Sequence, residues 1–201
     1  SAVTDKSLSE FAMENSIGGL EFLSCIPGTI GGGIRMNAGC FGSEFKDILI
    51  SIQAIDKIGN IITIPSKDIK FEYRNNNLSD DLIFLSASFK GKKSEKKLII
   101  EKTNRLKKEK EKNQPTKIKT SGSTFKNPIN QTKKKVWELI RESVPTDLNF
   151  GDAYISNKHS NFFINKKNAT SKDMINLIKY VKKKVKDKTG INIDLEIKII
   201  K

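Results

Sequence analysis

Apolar and polar positions change period several times along the chain, and the changes mark out its elements. Leu8, Phe11 and Ala12, following Asp5, keep helical spacing and predict a short helix over residues 5–15. A Gly/Pro-rich stretch without periodicity follows, from Ile17-Gly18-Gly19 to Gly42, and holds most of the glycines. Residues 47–64 then alternate as strands about a turn at Gly59-Asn60. Ile48, Ile50, Ile52 and Ala54 lead in, and Ile61, Ile62 and Ile64 lead out. Leu82 to Phe89 predicts another strand. From 92 to 113 Glu and Lys interleave around Leu98, Ile99, Ile100 and Leu106, which suits an exposed helix with little core surface. Gln114-Pro115 ends it, because proline biases its predecessor away from helix, and a domain boundary belongs near here.

In the second half, Val136, Leu139 and Ile140 predict a helix over 132–143. Met174, Ile175, Leu177, Ile178, Val181 and Val185 predict a longer one over 171–188. Thr170 with Asp173 forms a capping-box pattern, and Gly190 supplies a stop. The last segment alternates strictly, with Ile191, Ile193, Leu195, Ile197 and Ile199 on one face, and predicts a terminal strand. The whole reads as an α+β chain with no internal repeats.

Composition narrows what such a chain does. Its 201 residues suit one large domain or two of about 100 residues, and 36% hydrophobic residues can fill real cores. No stretch approaches the roughly 18–20 uninterrupted apolar residues of a membrane span, and Ser1-Ala2-Val3-Thr4-Asp5, without a basic n-region and an apolar h-region, gives no expectation of a signal peptide. A cytoplasmic location is expected. The first residue is not Met, so an excised piece of a longer protein is one reading. Cys25 and Cys40 make no disulfide framework, and one histidine, His159, nearly excludes a conventional zinc site. The net charge of +14 attracts any anion: nucleic acid, anionic membrane or a diphosphate. Lys, Ile and Asn are over-used together, so a composition bias explains much of it.

Four segments carry candidate chemistry. Cys25-Ile26-Pro27-Gly28-Thr29-Ile30-Gly31-Gly32-Gly33, continuing to Met36-Asn37-Ala38-Gly39-Cys40-Phe41-Gly42, lets backbone N–H groups approach a ligand without interference from Cβ atoms. It is neither a Walker A loop nor a G-x-G-x-x-G fingerprint, and a tight structural loop explains it equally well. Gly122-Ser123-Thr124-Phe125-Lys126-Asn127-Pro128 sets a hydroxyl, an ammonium and a carboxamide in one loop, for an anionic ligand or as ordinary turn chemistry. A serine nucleophile is disfavoured, since nothing marks His159 as the base of Ser123. Arg74, in Phe71-Glu72-Tyr73-Arg74, suits bidentate binding of a carboxylate or phosphate, or a loop cap. Glu196 lies on the polar face of the terminal segment, where a carboxylate is usually solvated. The Lys runs 133–135 and 182–184 read as solubilising faces without aromatic interleaving.

Taken in order, these segments resemble the UDP-N-acetylenolpyruvoylglucosamine reductase family. Gly19-Leu20-Glu21, the Ile-Pro-Gly-Thr-x-Gly-Gly run, Met36-Asn37-Ala38-Gly39 with Gly42 and Glu44, and Tyr73-Arg74 are similar to its central domain. Gly122-Ser123-x-Phe-Lys-Asn-Pro128, Leu139-Ile140, Ser156-x-x-His159-x-Asn161-Phe162-x-x-Asn165 and Leu195-Glu196 are similar to its C-terminal domain. The resemblance spans essentially the whole chain. It implies a second FAD-binding subdomain over 1–105, with a mixed or antiparallel sheet and helices, and an α+β substrate-binding domain over 106–201.

The family reduces the enolpyruvyl ether of UDP-N-acetylglucosamine enolpyruvate to a lactyl ether. NADPH reduces FAD, flavin N5 delivers hydride to C3, and the enolate is protonated at C2. The resemblance implies Ser123 as proton donor, with Arg74 and Glu196 stabilising the enolate and polarising the carboxyl group. It implies flavin contacts at Pro27, Gly28, Thr29, Gly31, Gly32, Asn37 and Gly39, and substrate contacts at Tyr73, Lys126, Asn127, His159 and Asn161. No metal, specific nucleic acid or membrane partner is implied, and a monomer is expected. A preorganised Arg favours the transition state over the ground state, where charge develops on the carboxylate. Glu196 as a neutral acid requires burial, and a serine donor requires close geometry.

Some features depart from the family. Its N-terminal flavin subdomain has no counterpart here, so weak FAD binding and poor turnover are expected of these residues alone. Asn75-Asn76-Asn77-Leu78 stands where a serine and an aromatic are common. Cys25 and Cys40 read as small buried residues rather than redox centres, and the 128–151 connection is too short for the tyrosine-bearing substrate loop of some members. A basic nucleic-acid-binding module and a non-catalytic UDP-sugar-binding protein are the alternatives.

Overall fold

The computed structural model describes residues 2–116 and 118–200, which divide into two compact units, Ser1–Lys110 and Glu111–Lys201. Each has its own buried apolar cluster.

In the first unit, helix α1 (Asp5–Glu14) starts where Thr4 accepts a hydrogen bond from the Ser7 N–H, as its N-cap position favours. A short strand β1 (Ile17–Gly18) and a 3-10 turn (Glu21–Cys25) follow. The glycine run is not wholly loop: Ile30–Arg35 winds into helix α2, capped by Thr29. A hairpin of β2 (Gly39–Cys40) and β3 (Ser43–Glu44) leads to one helical turn, α3 (Phe45–Ile48). Ile48, expected in a strand, therefore closes a helix. Strands β4 (Leu49–Ile55), β5 (Ile61–Pro65) and β6 (Ile83–Phe89) make an antiparallel sheet in the order β5-β4-β6. Central β4 buries Leu49, Ile52 and Ala54 against Phe45 and Leu23. Strand β7 (Lys92–Lys93) pairs with β1. Helix α4 (Lys96–Asn113) buries only Ile99, Thr103 and Leu106, as its charge-dense sequence predicts.

The second unit holds a sheet that periodicity did not predict: β8 (Lys119–Ser123), β9 (Asn149–Phe150), β10 (Ala153–Ile155) and β11 (Phe162–Asn165), in the order β8-β11-β10-β9. Its strands have two to five residues, too short to display alternation. Helix α5 (Val136–Ser143) begins later than expected, because Asn127 Oδ1 accepts the Val136 N–H at 3.0 Å and Glu138 reaches back to Lys135 N at 2.7 Å. Helix α6 (Ser171–Thr189) carries the expected capping box at Thr170 and Asp173, and a left-handed Gly190 at its end. It buries Leu177, Ile178, Val181 and Val185.

The predicted terminal strand does not form. Residues 191–199 make a single bridge, Phe125 to Leu195, with Lys126 N donating to Asp194 O (2.8 Å) and Glu196 N to Thr124 O (2.9 Å). The ladder cannot grow in either direction. The Thr124 N–H is spent on Asn161 O, and Pro128 has no N–H to offer Asn192. The Gln131 carboxamide takes that place, donating to Asn192 O at 2.7 Å and accepting from Asn192 N at 3.0 Å. Alternation survives as burial: Ile193 is fully buried, while Asn192 and Asp194 are exposed.

Candidate active site

The turn before α2 is tied to the start of α1. Asp5 N donates to Gly28 O (3.1 Å), Ile30 N donates to Val3 O (2.9 Å), and Thr4 bridges Thr29. Pro27, Gly28, Thr29 and Gly32 face solvent on this rim, with Gly31 half-buried. Most N–H groups of the first turn of α2 are engaged, Ile30 N with Val3 O, Gly32 N with Thr29 Oγ1 (3.4 Å) and Gly33 N with Thr29 O (2.8 Å), so what the rim offers a ligand is main chain that glycine leaves bare. The glycines divide by role. A Cβ on Gly33 would lie 2.3 Å from the Phe45 ring, and one on Gly39 2.5 Å from Ser43 O, so packing alone requires both. Gly32 has room, its nearest neighbour being Thr29 Oγ1 at 3.5 Å. Its lack of a side chain is therefore not a packing requirement.

Tyr73 and Arg74 form the tip of a four-residue loop closed by Glu72 N to Asn75 O (2.9 Å) and Asn75 N to Glu72 O (3.3 Å). Arg74 is held in the left-handed region (φ 59°), with its guanidinium carbon 4.9 Å from the Tyr73 ring centroid. Three side chains anchor the segment that follows. Arg35 donates to Leu78 O, Ser79 O and Leu82 O at 2.8–3.2 Å and lies over the Phe84 ring. Buried Asn76 donates to Ile34 O (3.2 Å), and exposed Asn77 to Lys70 O (2.8 Å). Asn37 is also fully buried, and its side-chain hydrogen bonds are to Glu44, the Glu72 carbonyl and the Lys46 N–H. Sequence reasoning missed Arg35 and Asn76, because a residue that grips a distant carbonyl leaves no local signal. Burial, and secondarily the neighbouring Cys25, push the Cys40 thiol up to about 12, so it carries no thiolate at neutral pH.

In the second unit Ser123 ends β8, opposite Phe162. Beyond it the Asn161 carboxamide imitates a strand edge, accepting the Phe125 N–H at 3.0 Å and donating to Phe125 O at 2.9 Å. Residues 124–126 are thus held between Asn161 and 194–196. Half-buried Glu196 is attached through its backbone to the residue after Ser123. Lys126 and Asn127 follow directly, with Asn127 capping α5.

His159 is half-buried between Trp137 and Phe162, with ring centroids at 6.2 and 4.9 Å. Its Nδ1 accepts the Asn161 N–H (3.3 Å), and burial lowers its pKa, so the ring is a neutral tautomer protonated at Nε2. It lines a cavity of about 510 Å³ with Trp137, Arg141 and Lys158; Ser123, Lys126, Asn127 and Glu196 are not among the lining residues. The first unit therefore carries the glycine rim and, joined through Asn37 to Glu72 O, the loop of Tyr73 and Arg74. The second gathers Ser123, Lys126, Asn127, Asn161 and Glu196, and sets His159 into a separate wall.

Residues 114–200 match the model of the UDP-N-acetylenolpyruvoylglucosamine reductase C-terminal domain, and residues 1–65 match an FAD binding domain. Over all 201 residues the chain is 64% identical to the UDP-N-acetylenolpyruvoylglucosamine reductase of Pelagibacter ubique, covering 67% of that protein. The chain belongs to the UDP-N-acetylenolpyruvoylglucosamine reductase family. The reductase of Rickettsia typhi is 44% identical over 200 residues, again with 67% of its length covered. The crystal structure of the Thermus caldophilus reductase superposes with a TM-score of 0.83 at 29% identity, over 96% of this chain and 68% of that one. As a member of the family, the chain is an FAD-dependent oxidoreductase of peptidoglycan precursor synthesis. The glycine rim fits such a cofactor, because Gly28 and Gly32 are exposed and let a ligand approach the main chain without interference from Cβ atoms. No helix among the described residues is long and apolar enough to cross a membrane.

Proposed function

We propose that the chain reduces UDP-N-acetylglucosamine enolpyruvate to UDP-N-acetylmuramate with NADPH as reductant, and that Ser123, Arg74 and Glu196 carry the chemistry. FAD, when bound, supplies the transfer of hydride from NADPH to C3 of the enolpyruvyl group. The rim Pro27-Gly28-Thr29 with Gly31, Gly32 and the main chain at Asn37 and Gly39 lies against the cofactor, where the glycines let it approach the backbone closely. Arg74 neutralises the substrate carboxylate as charge builds on it. Ser123 gives its hydroxyl proton to C2, and Glu196 polarises the carboxyl group. Lys126, Asn127, Tyr73, His159 and Asn161 contribute to substrate binding, His159 from the separate cavity it lines and Asn161 by fixing residues 124–126. On this reading residues 1–105 are the second flavin subdomain and 106–201 the substrate domain, of a monomeric cytoplasmic enzyme.

The observation that carries the reading is the hydrogen bond from Glu196 N to Thr124 O at 2.9 Å, within a segment held on both edges. It ties Glu196 to the residue next to Ser123, 73 positions away in sequence (196 − 123), and supports the rigidity that a serine proton donor requires.

The test separates the two halves of turnover in the flavin-loaded enzyme. Ser123→Ala should leave reduction by NADPH unchanged and slow reaction with the enolpyruvyl substrate by about 10²–10⁴-fold. Equal rates of substrate reaction in wild type and variant would refute the assignment.

A further inference from the structure

Asn37 sits in the left-handed region (φ 39°), which asparagine tolerates better than most residues, and its side chain is completely buried. A carboxamide offers two N–H donors and one oxygen, and here each has a partner. Nδ2 donates to Glu44 Oε2 at 2.9 Å and to Glu72 O at 3.1 Å, while Oδ1 accepts the Lys46 N–H at 3.0 Å. Glu44 is itself held by Lys46 Nζ at 2.8 Å. Both N–H groups are therefore spent inside the protein, and the side chain has no donor left for a cofactor.

One of those partners bears on the chemistry. The Glu72 carbonyl is the base of the Glu72–Asn75 loop, since it also accepts the Asn75 N–H at 3.3 Å. Arg74 stands at the tip of that loop, in a backbone conformation unfavourable for a side chain with a Cβ. A conformation of that kind persists only where its surroundings over-determine it. The second anchor near the loop, Asn76 to Ile34 O, grips the chain after Arg74; Asn37 grips it before.

We propose that Asn37 is a positioning residue for Arg74, holding the loop through the Glu72 carbonyl rather than contacting the flavin with its side chain. The inference rests on the role of Arg74 proposed above. Only a carboxamide meets the requirement. A carboxylate at 37 would face Glu44 and could not donate to Glu72.

A pair of substitutions separates positioning from general support. In Asn37→Asp both donations are lost. In Asn37→Asp/Glu44→Gln the Gln amide donates back to the new carboxylate, which restores the link between positions 37 and 44. The bond to the Glu72 carbonyl stays broken. In the flavin-loaded enzyme the double variant should recover part of the melting temperature lost in Asn37→Asp, keep wild-type flavin content and be reduced by NADPH at the normal rate. Its reaction with the enolpyruvyl substrate should remain slowed, by up to about 100-fold for a displacement near 1 Å. Normal substrate reaction in the double variant would overturn the proposal. So would parallel loss of both half-reactions, or failure of both variants to fold, since either makes Asn37 a general structural residue. Arg74→Ala, measured alongside, keeps the two questions apart. If it leaves the substrate reaction unchanged, the role of Arg74 is wrong. If it slows that reaction while the double variant does not, only the role of Asn37 is wrong.

Discussion

The carboxylate of Asp5 lies against Gly28, where a Cβ would approach Asp5 Oδ2 to 3.2 Å, and the Asp5 N–H donates to Gly28 O. Both Asp5 oxygens are buried without a hydrogen-bond partner among the described residues, and burial raises the pKa to about 6. An unpaired buried carboxylate is a liability to the fold beneath the glycine rim.

The sign of the resulting pH dependence follows from that raised value. The folded state holds its proton more tightly than the unfolded state, so the contribution of Asp5 is fully present below the ordinary carboxylate value. It is lost as pH rises through about 6. Asp5→Asn should therefore stabilise the protein at pH 8 by up to the order of 3 kcal/mol, with little effect at pH 4. Thermal unfolding of both proteins across pH 4–8 checks this. Superimposable profiles would exclude a buried unpaired carboxylate.

Glu21 is the opposite case. Its side chain is 6% exposed, and Gly19 N (3.1 Å) and Lys102 Nζ (3.0 Å) satisfy it. Burial pushes its pKa up, but the hydrogen bonds from Gly19 and Lys102 outweigh that and leave it below the usual carboxylate value. The stabilisation is thus present above the unfolded value and fades as pH falls. Lys102→Met should cost about 1–3 kcal/mol at pH 7 by stranding a buried charge. Adding Glu21→Gln should recover much of it. Urea denaturation of the single and double variants tests both statements.

How much of this was legible in the sequence depended on the range of the interactions. Helix α6 was, since Thr170, Asp173, Gly190 and the apolar stripe all act within a few residues. So were β4 and β6, each a seven-residue run rich in apolar residues, although β4 buries Leu49 and leaves Ile50 of the expected inward face exposed, where its register against β6 shifts. The sheet containing β8 was not, because a two- to five-residue strand shows no period and its pairing is decided by distant partners. The terminal segment misled for a related reason. Its alternation is genuine, but whether it forms a ladder was decided by Asn161 and Pro128, which no local pattern reveals. Motif order singled out Ser123, Arg74, Glu196 and Asn161 as candidates, whereas the supporting role of Asn161, and Arg35 and Asn76 altogether, became visible only as hydrogen bonds.

The division among the glycines gives a paired test. Gly33→Ala places a methyl group 2.3 Å from the Phe45 ring, and should destabilise the protein by about 1–3 kcal/mol or more through overpacking. Gly32→Ala meets nothing closer than 3.5 Å, so unfolding should shift by less than about 1 kcal/mol. If the rim holds the cofactor, Gly32→Ala should nevertheless weaken FAD binding, read by titrating flavin fluorescence into apoprotein. Unchanged affinity would move the flavin contact away from the rim.

Asn161 offers a test of the same logic in the second unit. Its carboxamide accepts from Phe125 N and donates to Phe125 O, and it is 3% exposed, so Asn161→Asp removes a donor from a buried carbonyl and sets a carboxylate against it. The new acid can restore the bond only when protonated, through its O–H. Its folded pKa must therefore be raised, and stability should improve as pH falls through that value. Asn161→Asp should cost about 1–3 kcal/mol at pH 8 and distinctly less at pH 5, as measured by urea denaturation. Because the carboxamide fixes residues 124–126 beside Ser123, reaction with the enolpyruvyl substrate should slow more at pH 8 than at pH 5, relative to wild type at each pH. A pH-independent loss of stability would show that the Phe125 carbonyl does not depend on the Asn161 donor.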